Sequence, residues 1–218
     1  MATYGYGKYI TEHIQGLPVS EPITTMFVAD TLAAAFGIDI KNAKKVTNVN
    51  MKRLTNRGDL VHIKKGVYGK IKNTPFGKLK PNADDIISKV LLHDGNNTIG
   101  YIAGPTLLNA VGLCSWMPKE RHIVTNRYRS KIPANTKIRM HKPIVTINDK
   151  NAIYFQTLEM FSAVEQYPID AENPDEILRV SILRSHIDKD KLVLYALKYC
   201  RKKVLFKTMD VVLGGIEL

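Results

Sequence analysis

The chain has 218 residues, 44% of them hydrophobic and 24% charged, a composition that excludes a disordered or fibrous protein and leaves room for one or two packed domains. No run of 18 apolar residues occurs, the N-terminus lacks an apolar stretch of signal-peptide length, and Cys114 and Cys200 belong to no CxxC pair, so a soluble cytoplasmic protein without membrane contact or a disulfide framework is expected. The net charge of +12 is unevenly spread: residues 1–80 carry +8, residues 81–150 carry +5 and residues 151–218 carry −1, which points to a polyanionic partner for the first two thirds.

In chain order, Tyr6–Gln15 reads as a first helix, with Tyr6, Tyr9, Ile10, His13 and Ile14 near one face and Gly16 and Pro18 behind it. The two prolines of residues 18–25 mark a loop. Phe27–Phe36 is an Ala-rich second helix that stops at Gly37. Residues 42–57 form a third, with Asn42 as candidate N-cap and Gly58 after its end. The period then changes to an alternation over 60–65, a turn at Lys64-Lys65-Gly66, and a second extended run through Val67, Tyr68 and Ile71. Three helices and then a basic hairpin is the order of a winged helix-turn-helix. Residues 73–82, with two prolines, a glycine and two asparagines, read as a linker. Beyond it come an amphipathic helix over 82–92, a short helix opened by Gly104-Pro105, strands over 121–125 and 136–147, helices over about 157–167, 174–186 and 189–200, and a last helix ending at Gly214-Gly215. The fold class expected is α+β: a winged helix-turn-helix DNA-binding domain over residues 1–78, then a mixed α/β domain with a helical tail over 79–218.

Residues 41–72 hold ten Lys or Arg and a single acid, Asp59. At 100° per residue, Val46, Asn50 and Leu54 of the third helix share one side, with Thr47 and Met51 at its edge, and Lys45, Asn48 and Lys52 share the other. Such a face suits a major groove, where Asn pairs with adenine and Lys reaches guanine or phosphate. Because the N-terminal part of a recognition helix does most of the reading, Asn42, Lys44, Lys45, Thr47 and Asn48 are the candidate base contacts. Lys52 extends that face. Arg53 and Arg57, nearer the buried edge, are assigned to phosphates or a local carboxylate. Lys64 and Lys65 at the wing, with Tyr68 and Lys70 behind them, complete the candidate set. The bland alternative is a solvated helix and hairpin. A membrane surface would need exposed bulky apolar residues, which this helix does not supply. A second basic run, residues 126–142, contains Arg127, Arg129, Lys131, Lys137, Arg139 and Lys142. It fits an extended phosphate surface and the exposed face of a half-buried strand equally well.

Catalytic patterns are missing. The six histidines show no HExxH spacing, and neither a P-loop nor a GxSxG elbow occurs. Gly5-Tyr6-Gly7 has no preceding strand and reads as a loop. Asp84 and Asp85 read as first-turn acids, Asp188 and Asp190 as capping residues, and Glu159 and Glu165, six apart, as not sharing a helix face. No catalytic residue, metal ligand or cofactor is expected, and the chain is read as a binding protein rather than an enzyme.

Met51-Lys-Arg-Leu-Thr-Asn-Arg-Gly-Asp-Leu60 followed by Ile63-Lys-Lys-Gly-Val-Tyr68 resembles the "L-x-R-L-x-x-x-G-x-L, then l-x-x-G-x-Y" pattern of AbiEi-type antitoxins of bacterial type IV toxin–antitoxin systems. Phe27-Val-Ala-Asp-Thr-Leu32, Gly104-Pro-Thr-Leu-Leu-Asn-Ala-Val-Gly-Leu113 and His122-Ile-Val-Thr-Asn126 are similar to further segments of that family, in the same order. Asn50 stands where the family has a small apolar residue and Met51 where it has Leu. The resemblance, over roughly residues 8–145, implies a repressor that binds inverted repeats of double-stranded operator DNA upstream of its own operon, in phage defence. It also implies a C-terminal domain that counters a nucleotidyltransferase-like toxin without a stable complex. The alternatives are a plain winged-helix regulator with a dimerisation or sensing domain and, behind it, a nucleic-acid-processing enzyme.

Overall fold

The computed structural model describes residues 3–213. The chain is mixed α and β with small sheets, and it divides into two compact units. One comprises the residues up to Val90 with Lys131–Thr136, and the other comprises Leu91–Ser130 with the residues from Lys137 on.

The first unit opens with α1 (Thr3–Gly16), β1 (Ile23–Thr24), α2 (Thr25–Phe36) and α3 (Ile40–Arg57), followed by β2 (Leu60–Lys64) and β3 (Val67–Lys70). The strands form one antiparallel sheet in the order β1-β3-β2. Local chemistry sets the helix ends. Thr24 caps α2 by accepting from the Phe27 N–H at 3.1 Å, and Gly37 ends it at φ 63°. Asp39 then caps α3, its carboxylate accepting from the N–H groups of Lys41 and Asn42 at 2.9 and 3.3 Å. Asn42 is therefore inside the first turn and is not the N-cap: a carboxylate three residues earlier satisfies the free N–H groups and complements the positive end of the helix. Gly58, at φ 76°, terminates α3 as expected. Ile10 and Ile14 of α1, Ile23 of β1, Val28 and Leu32 of α2, Met51 and Leu54 of α3 and Leu60 of β2 close a single core. Burying each of these large side chains is worth roughly 2 kcal/mol against leaving it in water.

Three local readings need correction. Gly5-Tyr6-Gly7 is helical, within α1. A Cβ on Gly7 would stand 3.1 Å from the Asn50 Oδ1, so a glycine there lets α1 lie close to the polar Asn50 of α3. Residues 73–82 are not a plain linker, because β4 (Lys72–Thr74) and β5 (Gly77–Leu79) pair as an antiparallel hairpin. The first compact unit also runs past residue 78. It takes in most of the next helix, α4 (Ala83–Leu92), whose Ile86 and Val90 pack on Val67 of β3.

The second unit contains a short hairpin, β6 (His93–Asp94) with β7 (Asn97–Thr98), then β8 (Gly100–Ala103), α5 (Gly104–Val111), β9 (Arg121–Thr125) and β10 (Ile138–His141). β8 is antiparallel to β9, and β10 is parallel to β9 at the sheet edge. The strand expected over 136–147 is shorter because Pro143 cannot donate to a ladder. The helices α6 (Ala152–Val164), α7 (Pro174–Arg184), α8 (Lys189–Tyr199) and α9 (Lys202–Leu213) follow. α6 starts five residues ahead of its expected beginning, after an Asn148–Asn151 turn in which the Asn148 N–H donates to the Asn151 side chain at 2.8 Å. The expected end of the last helix, at Gly214, lies outside the described residues. Leu107 and Leu108, Leu158 and Phe161, Leu178 and Ile182, Leu192, Val204 and Val211 bring α5–α9 onto one core.

Candidate nucleic-acid interface

The exposed side of α3 follows from which of its residues the core takes. Ala43, Thr47, Met51 and Leu54 are buried. The opposite side therefore presents Lys41, Asn42, Lys45, Asn48, Val49, Lys52, Arg53 and Asn56, all exposed. The helix contains no Asp or Glu. Its face thus combines cations for phosphate, three carboxamides able to hydrogen-bond base edges, and one isopropyl group, Val49, 51% exposed and sized for a thymine methyl.

Of the predicted contacts on this helix, Asn42, Lys45, Asn48, Lys52 and Arg53 lie on that face. Thr47 does not. It is fully buried, and its hydroxyl has no hydrogen-bond partner, so it belongs to the core. Lys44 is half-buried at the margin of the face. Arg57 is held by a carboxylate, with Nε and Nη2 donating to Asp59 Oδ2 at 2.9 and 2.5 Å. Lys41, Val49 and Asn56 were missed. The signal for Lys41 was Asp39, a better cap than Asn42. The signal for the other two was Ala43, whose small side chain rotates the buried stripe toward Thr47.

The β2–β3 turn is tight. Gly66 sits at φ 73°, and its carbonyl accepts from the Thr25 N–H at 2.9 Å, which ties the tip to the start of α2. Lys65 is exposed there, whereas Lys64 is half-buried. Tyr68 packs edge-on against His62, ring centroids 5.2 Å apart, and against the first core. Lys70 donates through Nζ to the main-chain carbonyls of Gln15 and Leu17. Tyr68 and Lys70 therefore both make contacts within the fold.

The second basic run divides between the two units. Lys131 belongs to the first unit and the other five cations to the second. Arg127 pairs with Asp94 at 2.7 Å. Arg129 lies over the Tyr128 ring at 5.3 Å from its centroid, and Lys142 lies 6.0 Å from the same centroid. Lys137 and Arg139 are exposed. His141, on the same strand, is half-buried against His122, with ring centroids 5.1 Å apart. Burial first, and then the neighbouring charge of Arg139, lowers the pKa of His141. Burial lowers that of His122, with His141 and Arg139 adding to the effect.

The second unit gathers other titratable groups in a cleft of about 500 Å³ whose lining includes Tyr101, Glu159, Cys200 and Arg201. Burial raises the Glu159 carboxyl pKa even though its Oε1 accepts from the Gly104 N–H at 3.3 Å. Burial also raises the Cys200 thiol, with the Glu159 charge adding to it. Glu165 lines the same cleft, paired with Lys203. Glu165 is the C-cap of α6. Among the described residues, no group of three or more His, Cys, Asp and Glu is placed to hold a metal ion, and no helix is long and apolar enough to cross a membrane.

No protein-family model matches the chain, and neither does any curated protein.

Proposed function

We propose that the first unit is a winged helix-turn-helix that binds double-stranded DNA with the exposed face of α3 in the major groove. The observation that carries this reading is that face itself: Lys41, Lys45, Lys52 and Arg53 with Asn42, Asn48 and Asn56, and no acid on the helix. The element order α1-β1-α2-α3-β2-β3 and the sheet order β1-β3-β2 agree with it. So does the tight Gly37–Asp39 corner between α2 and α3. In this reading Lys65, exposed at the β2–β3 turn, adds a phosphate contact.

The wider role rests on the resemblance to AbiEi-type antitoxins. In that reading the DNA is an inverted repeat upstream of the protein's own operon, and the second unit counters a nucleotidyltransferase-like toxin. The test is a co-expression experiment with the neighbouring reading frame. Replacing Lys41, Lys45 and Lys52 together by Ala is expected to weaken operator binding and relieve repression while leaving protection from the toxin intact. For every phosphate that the variant no longer neutralises, the slope of log K against log salt should flatten by about 0.9. Unchanged binding in the triple variant contradicts the α3 assignment. Absence of a toxic neighbour, with repression retained, favours a plain regulator.

A further inference from the structure

The α3 face leaves the basic β4–β5 hairpin unexplained. Phe76 stands at its tip with its whole side chain in water, 101% exposed. Its position is held. Pro75 precedes it, Gly77 follows at φ 115°, and the Thr74 hydroxyl donates to the Gly77 carbonyl at 2.8 Å across the turn. The hairpin is in turn tied to the C-terminal end of α3, where Lys78 Nζ donates to the Gly58 carbonyl at 3.4 Å. Lys72 and Lys80 are exposed on either side, and residues 70–82 contain no acid.

A rigid turn that holds a single flat apolar ring in water, set among cations, matches a partner that is both polyanionic and stacked. Duplex DNA has both properties. Apolar side chains wedge between base steps from the minor groove and partly unstack them, most readily at flexible pyrimidine–purine steps. A lipid surface asks for a broader apolar face than one ring and its neighbour Leu79.

We propose that the β4–β5 hairpin is a second DNA-contacting element, which seats Phe76 against a base step in the minor groove beside the site of α3, with Lys72 and Lys80 on the flanking phosphates. The inference rests on the DNA-binding reading of α3. It adds a preference for a deformable step at a position that α3 does not touch.

The experiment uses the full chain and a duplex selected from a random pool by the wild-type protein, with 2-aminopurine placed at successive pyrimidine–purine steps. Wild type is expected to raise the fluorescence at one step. Phe76→Ala should remove that rise and weaken binding roughly tenfold while keeping the salt slope. Phe76→Trp should retain both the affinity and the rise. If Phe76→Ala leaves affinity and fluorescence unchanged while Lys45→Ala/Lys52→Ala abolishes binding, the hairpin proposal is overturned and the α3 reading stands. If the wild-type protein selects no duplex, both fall. Binding to anionic vesicles in preference to duplex, abolished in Phe76→Ala, overturns the proposal in favour of a lipid surface.

Discussion

Lys70 of β3 donates through Nζ to the Leu17 carbonyl at 2.9 Å, just past the end of α1. The neighbouring Gln15 carbonyl receives the same ammonium. These carbonyls lie at the negative end of the α1 dipole, where a cation is favoured. Lys70→Met should therefore lower stability by about 1 kcal/mol in denaturant titrations and leave the salt slope of the proposed DNA binding unchanged. A flattened slope with unchanged stability would show that Lys70 contacts phosphate after all.

Thr47 gives the opposite expectation. Its hydroxyl is buried without a partner, and valine has nearly the same shape without the polar atom. Thr47→Val should stabilise the protein by about 1 kcal/mol and leave DNA affinity as it is. A drop in affinity in a stably folded Thr47→Val protein would return Thr47 to the interface.

In the second unit, a Cβ on Gly100 would stand 2.6 Å from the Val124 carbonyl oxygen and 2.7 Å from that of Leu91. Both are main-chain atoms and cannot swing aside. The Cβ of Thr125, whose hydroxyl donates to the same Leu91 carbonyl at 2.6 Å, would lie 3.1 Å away. Gly100→Ala should cost roughly 1–3 kcal/mol, read as a lowered midpoint at unchanged m-value.

His122 and His141 set a pH dependence. Both are held below the ordinary histidine pKa in the folded chain, chiefly by burial. As pH falls below about 6.5 the unfolded chain takes up protons that the folded chain does not, so stability falls with pH until the depressed folded values are reached. Glu159 acts in the other direction. Its raised pKa makes the folded chain hold a proton that the unfolded chain has released, and this lowers stability as pH rises through that window. Thermal midpoints recorded from pH 7.5 to 5 should therefore drop less steeply in His141→Leu than in wild type. Glu159→Gln should gain stability at pH 7.5 and lose that gain toward pH 4.5. Parallel profiles for His141→Leu and wild type would remove the histidine pair as the cause.

Much of the local architecture was legible in the chain itself. Three helices followed by a hairpin could be read from the change of hydrophobic period at Gly58 and from the turn at Gly66, because both signals are local. The basic, acid-free character of α3 was equally plain, and with it Lys45, Asn48 and Lys52 as outward-facing residues.

Tertiary packing decided the rest. β1 is two residues long and exists by pairing with β3, which lies more than forty positions away in sequence. The phase of α3 turned on Ala43 and Thr47, neither hydrophobic enough to mark a core stripe until α1 and α2 close over them. Lys70, Tyr68 and Arg57 look in sequence like the other basic or aromatic residues of residues 41–72. A helix end, a packed ring and a carboxylate claim them first. The His122–His141 contact arises because β9 and β10 run parallel, a long-range choice that no local pattern encodes. Sequence alone determined the charge of α3, because charge is a property of each residue. Only the fold decided which of those charges are free, because that depends on neighbours far along the chain.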